Sequence, residues 1–162
     1  MNIYSIFFLC SLLFLSCSSK IATEEEMEDI TPPTETGQAD VVSVSTSGES
    51  NNYQFAVGIS SPDVDCNQYA NWWEIVSAEG ELIYRRILTH SHPSEQPFVR
   101  SGGPVAIGPD ERVIVRAHMH PVGYGGTAYE GTISGGFEAT QKPADFASDL
   151  NEQEPLPSVC TS

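Results

Sequence analysis

Short segments in which hydrophobic residues alternate with polar or small ones begin at Val41, and this period of two constrains the fold more than any other feature. In one of them Tyr53, Phe55, Val57 and Ile59 alternate with Gln54, Ala56 and Gly58. A strand with one buried face has this pattern. Further segments of this kind occur at 72–77, 82–89, 112–120 and 129–137, with shorter ones around Phe98 and at 105–107. Apart from one turn at 144–150, helical periodicity is absent, so the sequence predicts an all-β domain.

Gly, Pro and Asn separate these segments, which is typical of an antiparallel immunoglobulin-like β-sandwich of about seven strands. Glu79-Gly80 predicts a hairpin turn into the segment from Leu82. In such a sheet the strands from Leu82 and from Arg112 flank the strand that carries Trp72. A cupin-like barrel is the alternative. The residues that resemble the first cupin motif, with the Glu one position early and no second motif, are Gly80, His90, His92, Glu95 and Gly102.

The N-terminus carries an almost continuous apolar run from Ile3 to Leu15. It is shorter than the roughly 20 residues that span a bilayer, and it has the length of a signal-peptide core. The preceding region lacks Lys and Arg, which departs from the usual pattern. Residues 1–16 are therefore predicted to be a signal peptide.

The run ends in Phe14-Leu15-Ser16-Cys17, which resembles the lipobox of bacterial lipoproteins. The resemblance implies cleavage before Cys17, which becomes a diacylglyceryl cysteine with palmitate-type acyl chains and anchors the protein to a membrane. Ser18 stands where Asp would retain a lipoprotein at the inner membrane, so the resemblance implies the outer membrane. The acidic run at 24–29 is similar to surface-export signals, and whether the protein faces the periplasm or the surface stays open.

Residues 17–40 combine Ser, Thr, Glu and Pro with few large apolar residues, and they are predicted to be an acidic flexible tether. The β-domain is predicted at 41–139 and a C-terminal segment at 140–162. The formal net charge of −15 opposes contact with the phosphates of nucleic acid. Nucleic acid is therefore excluded as a partner.

Cys66 and Cys160 are the cysteines that remain once Cys10 is cleaved off and Cys17 is acylated. In an oxidising compartment two such cysteines usually pair. The expected disulfide fastens the C-terminal segment to the domain.

No recognisable nucleophile–base motif, phosphate loop or His-Glu metal helix is present in the sequence, so an enzyme would have to depend on a metal. Asp63, Asp65 and Asn67 have the spacing of a calcium loop, with Glu74 at the twelfth position. Gln68 stands where that loop needs Gly, which favours an Asx-rich turn instead.

Trp72 and Trp73 are adjacent, so on a strand they point to opposite faces. Trp73 shares the phase of Ile75 and is predicted to lie in the core. Trp72 lies on the outer face, where it forms a binding surface for a protein, a glycan or another ligand, or packs under the C-terminal segment.

All four histidines fall in two triplets, His90-Ser91-His92 and His118-Met119-His120. The two side chains of each triplet share one side of a strand. Imidazole binds copper and zinc well, so the sequence predicts one transition-metal site from the four rings. Glu74 or Glu95 would supply an oxygen ligand, whereas nearby Arg side chains oppose a cation.

Together these features predict a membrane-anchored extracytoplasmic lipoprotein whose β-sandwich is a binding module, with copper or zinc as the candidate ligand. Two alternatives from other classes stay open. One is a structural or protein-interaction lipoprotein of the cell envelope. The other is a metal-dependent enzyme built on the histidines.

Overall fold

The computed structural model describes residues 37–161, which form eight β-strands and one short 3-10 helix at Ser148–Glu152. The strands are β1 Asp40–Glu49, β2 Asn52–Ser60, β3 Tyr69–Ser77, β4 Leu82–Ile87, β5 Phe98–Val105, β6 Val113–His120, β7 Ala128–Thr132 and β8 Gly136–Thr140. All pairings between them are antiparallel. The all-β prediction is confirmed, with one strand more than the sequence indicated.

The strands form two sheets, a three-stranded one in the order β1-β2-β5 and a five-stranded one in the order β4-β3-β6-β7-β8. Both sheets are open, which fits a sandwich and not the closed cupin-like barrel. The prediction that the strands from Leu82 and Arg112 flank the one carrying Trp72 is confirmed, because β4 and β6 both pair with β3.

The core between the sheets contains the residues that the alternation indicated. Phe55, Val57 and Ile59 of β2 are fully buried, as are Trp73 and Ile75 of β3. Burying a side chain of this size contributes about 1.5–3 kcal/mol. The alternation is therefore explained by one face of each strand packing against the opposite sheet.

The last predicted strand, over 129–137, is two strands. β7 ends at Thr132 and the chain turns back into β8, with Gly136 at a φ of +82°. A side chain at Gly131 would collide with the carbonyl of Gly136, so the hairpin needs a glycine there. Glycines that continue the alternation of the sequence therefore lie in or beside the turn between β7 and β8.

β3 is buried on both faces. Its inner face meets the three-stranded sheet, and its outer face is covered by residues 141–161, here called the C-terminal segment. Leu150 of this segment packs against Val76 and Ile114 in a second, smaller core. The predicted Cys66–Cys160 disulfide is present, with Cα atoms 5.7 Å apart, and it fastens the end of the segment.

Candidate binding cleft

A cavity of about 470 Å³ lies where β3 and β6 meet the C-terminal segment. Buried side chains of the sheet form its floor, and residues 156–160 form one wall. The lining residues are Cys66, Tyr69, Asn71, Trp72, His118, His120, Pro121, Asn151, Leu156, Pro157, Ser158, Val159 and Cys160. We call this cavity the cleft. Cys66 and Cys160 both line the cleft, so their disulfide holds the wall against the sheet.

Trp72 is on the outer face of β3, as predicted, but its side chain is only 3% exposed. The indole stacks on the imidazole of His118, with ring centroids 3.8 Å apart and planes 7° apart. The guanidinium carbon of Arg85 lies 4.4 Å from the indole centroid. Trp72 therefore packs beneath the C-terminal segment and contributes to the floor of the cleft, instead of forming an exposed surface.

Asn71 is placed beside His118 by an irregularity of the sheet. The register of β3 against β6 shifts between Ala70 and Trp72, and Asn71 falls at this bulge. Its Oδ1 lies 2.6 Å from Nδ1 of His118. Bulges commonly re-aim a side chain in this way. Strand alternation alone does not predict this pair, so sequence reasoning missed Asn71.

His118 is neutral at physiological pH. Burial lowers the pKa of His118 to about 3, against a hydrogen bond to Asn151 that raises it, and nearby Arg85 lowers it further. Because its partner is the amide oxygen of Asn71, the Nδ1–H of His118 donates to that oxygen, and Nε2 of His118 keeps its lone pair. The ring thus contributes a hydrogen-bonding group to the cleft and carries no charge.

Glu74, a predicted metal ligand, is fully buried between two arginines. Its oxygens lie 2.6 Å from Nη2 of Arg85 and 2.7 Å from Nη2 of Arg116. Arg85 also donates to the backbone carbonyls of Leu150, Gln153 and Pro155. Both oxygens of Glu74 are therefore occupied, and the carboxylate holds guanidinium groups that fasten the C-terminal segment.

Arg116 makes the same kind of contact nearer the start of the segment, donating to the carbonyls of Phe146 and Ala147. Its guanidinium carbon lies 3.6 Å from the ring centroid of Tyr124. Burial and the charge of Glu74 raise the pKa of the Tyr124 hydroxyl, so it stays protonated. The sequence analysis considered Arg116 only as an opponent of a metal, whereas its contacts show that it fastens the C-terminal segment.

The four histidines lie in two separate pairs. His118 and His120 line the cleft, whereas His90 lies beside His92 in the loop between β4 and β5, with ring centroids 4.3 Å apart. β4 ends at Ile87, so His90 and His92 belong to the loop after it, whereas His118 and His120 belong to β6. Residues 37–161 contain no group of three or more His, Cys, Asp or Glu side chains placed to hold a metal ion. Binding of copper or zinc by the histidines stays a prediction.

His92 packs into the domain instead of facing solvent. Its ring stacks on Phe98 with centroids 3.9 Å apart, and its backbone N–H donates to Asp63. Burial lowers the pKa of His92, and the charge of Arg100 adds to this effect. Glu95, the other predicted oxygen ligand, is exposed and pairs with Arg100 at 2.9 Å.

Asp63 and Asp65 have structural roles in the loop before β3. Asp63 is buried and accepts hydrogen bonds from Ser61 and from the backbone of Ala70. Asp65 accepts from the backbone N–H of Asn67, which is an Asx turn. The Asx-rich turn that the sequence favoured over a calcium loop is thus observed.

Within residues 37–161, no helix has the length and apolar character needed to cross a membrane. Cys17 and the signal peptide lie outside the described residues.

A comparison with known proteins finds one distant relative. A protein of Halomicrobium mukohataei that carries the name "Putative lipoprotein" is 36% identical over 97 residues, which is 57% of this chain and 48% of the relative. The chain thus spans about half the length of this curated, archaeal relative. No family model matches the chain, and no solved structure matches it.

Proposed function

We propose that the protein is a lipid-anchored extracytoplasmic lipoprotein whose β-domain is a binding module. The apolar run and the lipobox around Cys17 support the anchor, and the name of the archaeal relative agrees with it. The Cys66–Cys160 disulfide supports an oxidising compartment. Two acyl chains make such an anchor durable, because each buried methylene contributes about 0.8 kcal/mol.

The finer location that we propose is the outer membrane. It rests on Ser18 after the acylated cysteine, where an inner-membrane lipoprotein carries Asp, and not on the relative, which is archaeal. Residues 17–40 would serve as the tether between the anchor and a domain at 41–139. Mass spectrometry of the mature N-terminus tests the anchor. A diacylated Cys17 is expected, and an unmodified N-terminus or a freely soluble mature protein would refute it.

The strand order supports an immunoglobulin-like arrangement. In such a sandwich one sheet contains strands A, B and E, and the other contains C and F as neighbours with G beside F. β1-β2-β5 corresponds to the first sheet and β4-β3-β6-β7 to the second, with β8 added at the edge. Modules of this architecture bind ligands at the ends of the sandwich, which is where β6 ends at His120 and the cleft opens.

The function we propose for the cleft is the binding of a small uncharged ligand. The observation that carries it is the lining: in a chain of net charge −15, no Asp, Glu, Lys or Arg is among the described residues around the cavity. The imidazole of His118, on its floor, is held neutral by burial. A charged ligand would lose its hydration without gaining a counter-charge there.

The test uses the mature protein labelled with nitrogen-15 and a library of small fragments, half of them uncharged and half charged. The two tryptophans give two indole N–H signals, and a Trp72→Phe variant identifies the one that reports on the cleft. Uncharged fragments should shift the Trp72 signal while that of Trp73, in the core, stays in place. A shift caused only by charged fragments, or by no fragment at all, would refute the proposal.

A further inference from the structure

We infer that the ligand of the cleft is a neutral saccharide of one or two rings. This inference rests on the proposed function and specifies its ligand. Three observations carry it: the hydrogen-bonding character of the rim, the apolar side chains beside it, and the size of the cavity.

The rim presents side chains that both donate and accept hydrogen bonds. Asn151 and Ser158 are exposed where the C-terminal segment borders the cleft, and His120 is exposed at the end of β6. Amide and hydroxyl groups each donate and accept, and the imidazole of His120 adds a further N–H donor. Sugar hydroxyls do the same, whereas carboxylates and phosphates only accept and ammonium groups only donate. A ligand rich in hydroxyl groups therefore satisfies this rim best.

Apolar side chains line the cleft beside these groups. Leu156 and Pro157 of the C-terminal segment line it together with Val159, which is 60% exposed, and Pro121 adds a ring from the chain after β6. A sugar ring has faces of C–H groups as well as an edge of hydroxyls. Such a ring can bury its C–H face on these side chains while its hydroxyls meet Asn151 and Ser158.

Trp72 belongs to the floor of the cleft, so its indole reports on a ligand bound there. The cavity of about 470 Å³ falls in the range of roughly 300–1,000 Å³ that small-molecule sites occupy.

The experiment titrates the mature protein with neutral disaccharides, with the corresponding uronic acids, and with uncharged capped dipeptides, and follows the Trp72 indole signal. The neutral disaccharides should shift it in a saturable way. Asn151→Ala and Ser158→Ala should each weaken this binding about tenfold, the effect of losing one hydrogen bond. Ser45→Ala is the matched control, because Ser45 is exposed on β1 of the other sheet and should leave the affinity unchanged.

The outcomes separate the two proposals. Saturable binding of neutral disaccharides that the rim variants weaken and Ser45→Ala does not would support the inference. Equal or stronger binding of uronic acids or dipeptides would overturn it, as would disaccharide binding that the rim variants leave intact. If uncharged fragments bind the cleft but no disaccharide does, the saccharide is wrong and the binding function stands. If nothing binds, both fail.

Discussion

His118 stacks on Trp72 with the two ring centroids 3.8 Å apart, and its Nδ1 meets the amide oxygen of Asn71 at 2.6 Å. The stack places an imidazole under the C-terminal segment, where protonation would bury a charge close to Arg85 and Arg116. A ring that contributes to the floor of the cleft thus also makes the stability of the domain depend on pH.

The free energy of unfolding should fall as the pH drops below about 6.5. The pKa of His118 is about 3 in the folded protein and near 6.5 in the unfolded chain, so between these values the unfolded state takes up a proton that the folded state does not. The stabilisation that His118 contributes is fully present above pH 6.5 and is lost on acidification. Between pH 7.5 and 5 the loss should be about 2 kcal/mol, measured by denaturant unfolding.

His118→Gln is the variant that isolates this effect, because a glutamine amide fills similar space without titrating. Its stability should vary less between pH 7.5 and 5 than that of the unchanged protein. Part of the dependence should remain, since the pKa of His92 is also lowered by burial. An identical pH dependence in both proteins would show that His118 titrates alike in the folded and unfolded states.

The ion pairs of Glu74 predict that replacing its carboxylate by an amide strongly destabilises the domain. Glu74→Gln removes the charge that Arg85 and Arg116 share, and it leaves two guanidinium groups buried without a counter-ion. Breaking a buried pair in this way costs about 3–5 kcal/mol. Glu95→Gln is the control, because the pair of Glu95 and Arg100 is exposed to solvent and should contribute little to stability. Chemical denaturation measures both, and equal small losses would contradict the role given to Glu74.

Much of the fold follows from the alternation of the sequence, because burial of one face decides which side chains point inward. That logic assigned Trp73 to the core and Trp72 to the outer face, and it placed β3 between β4 and β6. The paired cysteines followed from compartment and count. Alternation does not reveal a turn inside a regular pattern. For this reason the sequence predicted one strand where β7 and β8 form a hairpin.

The sequence did not predict the cleft, and the reason is different. Asn71 reaches His118 through a bulge, and a bulge depends on how two strands pair and not on the residues of one. The wall at 156–160 carries no regular secondary structure, so its place depends on long-range contacts made by Arg85 and by Cys160. Cys160 was the sequence signal for the position of this wall, since its disulfide holds residues 156–159 near Cys66.

Titration with copper(II) and with zinc tests the histidine prediction. The pairs His90–His92 and His118–His120 lie apart in the structure, so any metal they bind should occupy independent, weak sites. The His90→Ala/His92→Ala and His118→Ala/His120→Ala double variants should then each lose one site and keep the other. A single tight site that either double variant abolishes would show instead that the four rings converge.

The last prediction concerns the disulfide as the fastening of the cleft wall. Replacing both Cys66 and Cys160 with Ser should lower the free energy of unfolding by about 4 kcal/mol, because the bond closes a loop across 94 positions of the chain. Residues 156–160 should also separate from the sheet, since they lie next to Cys160. Arg85 and Arg116 should still hold the earlier part of the segment through its carbonyls.

The readout is quenching of tryptophan fluorescence by acrylamide under conditions in which the domain stays folded. Trp72 should become accessible in the double Ser variant, while Trp73 stays protected in the core between the sheets. A Trp72→Phe background supplies the control, because removal of the disulfide should then leave quenching unchanged. If Trp72 is quenched no more than in the oxidised protein, the arginine contacts suffice to hold the wall, and the disulfide stabilises the fold without shaping the cleft.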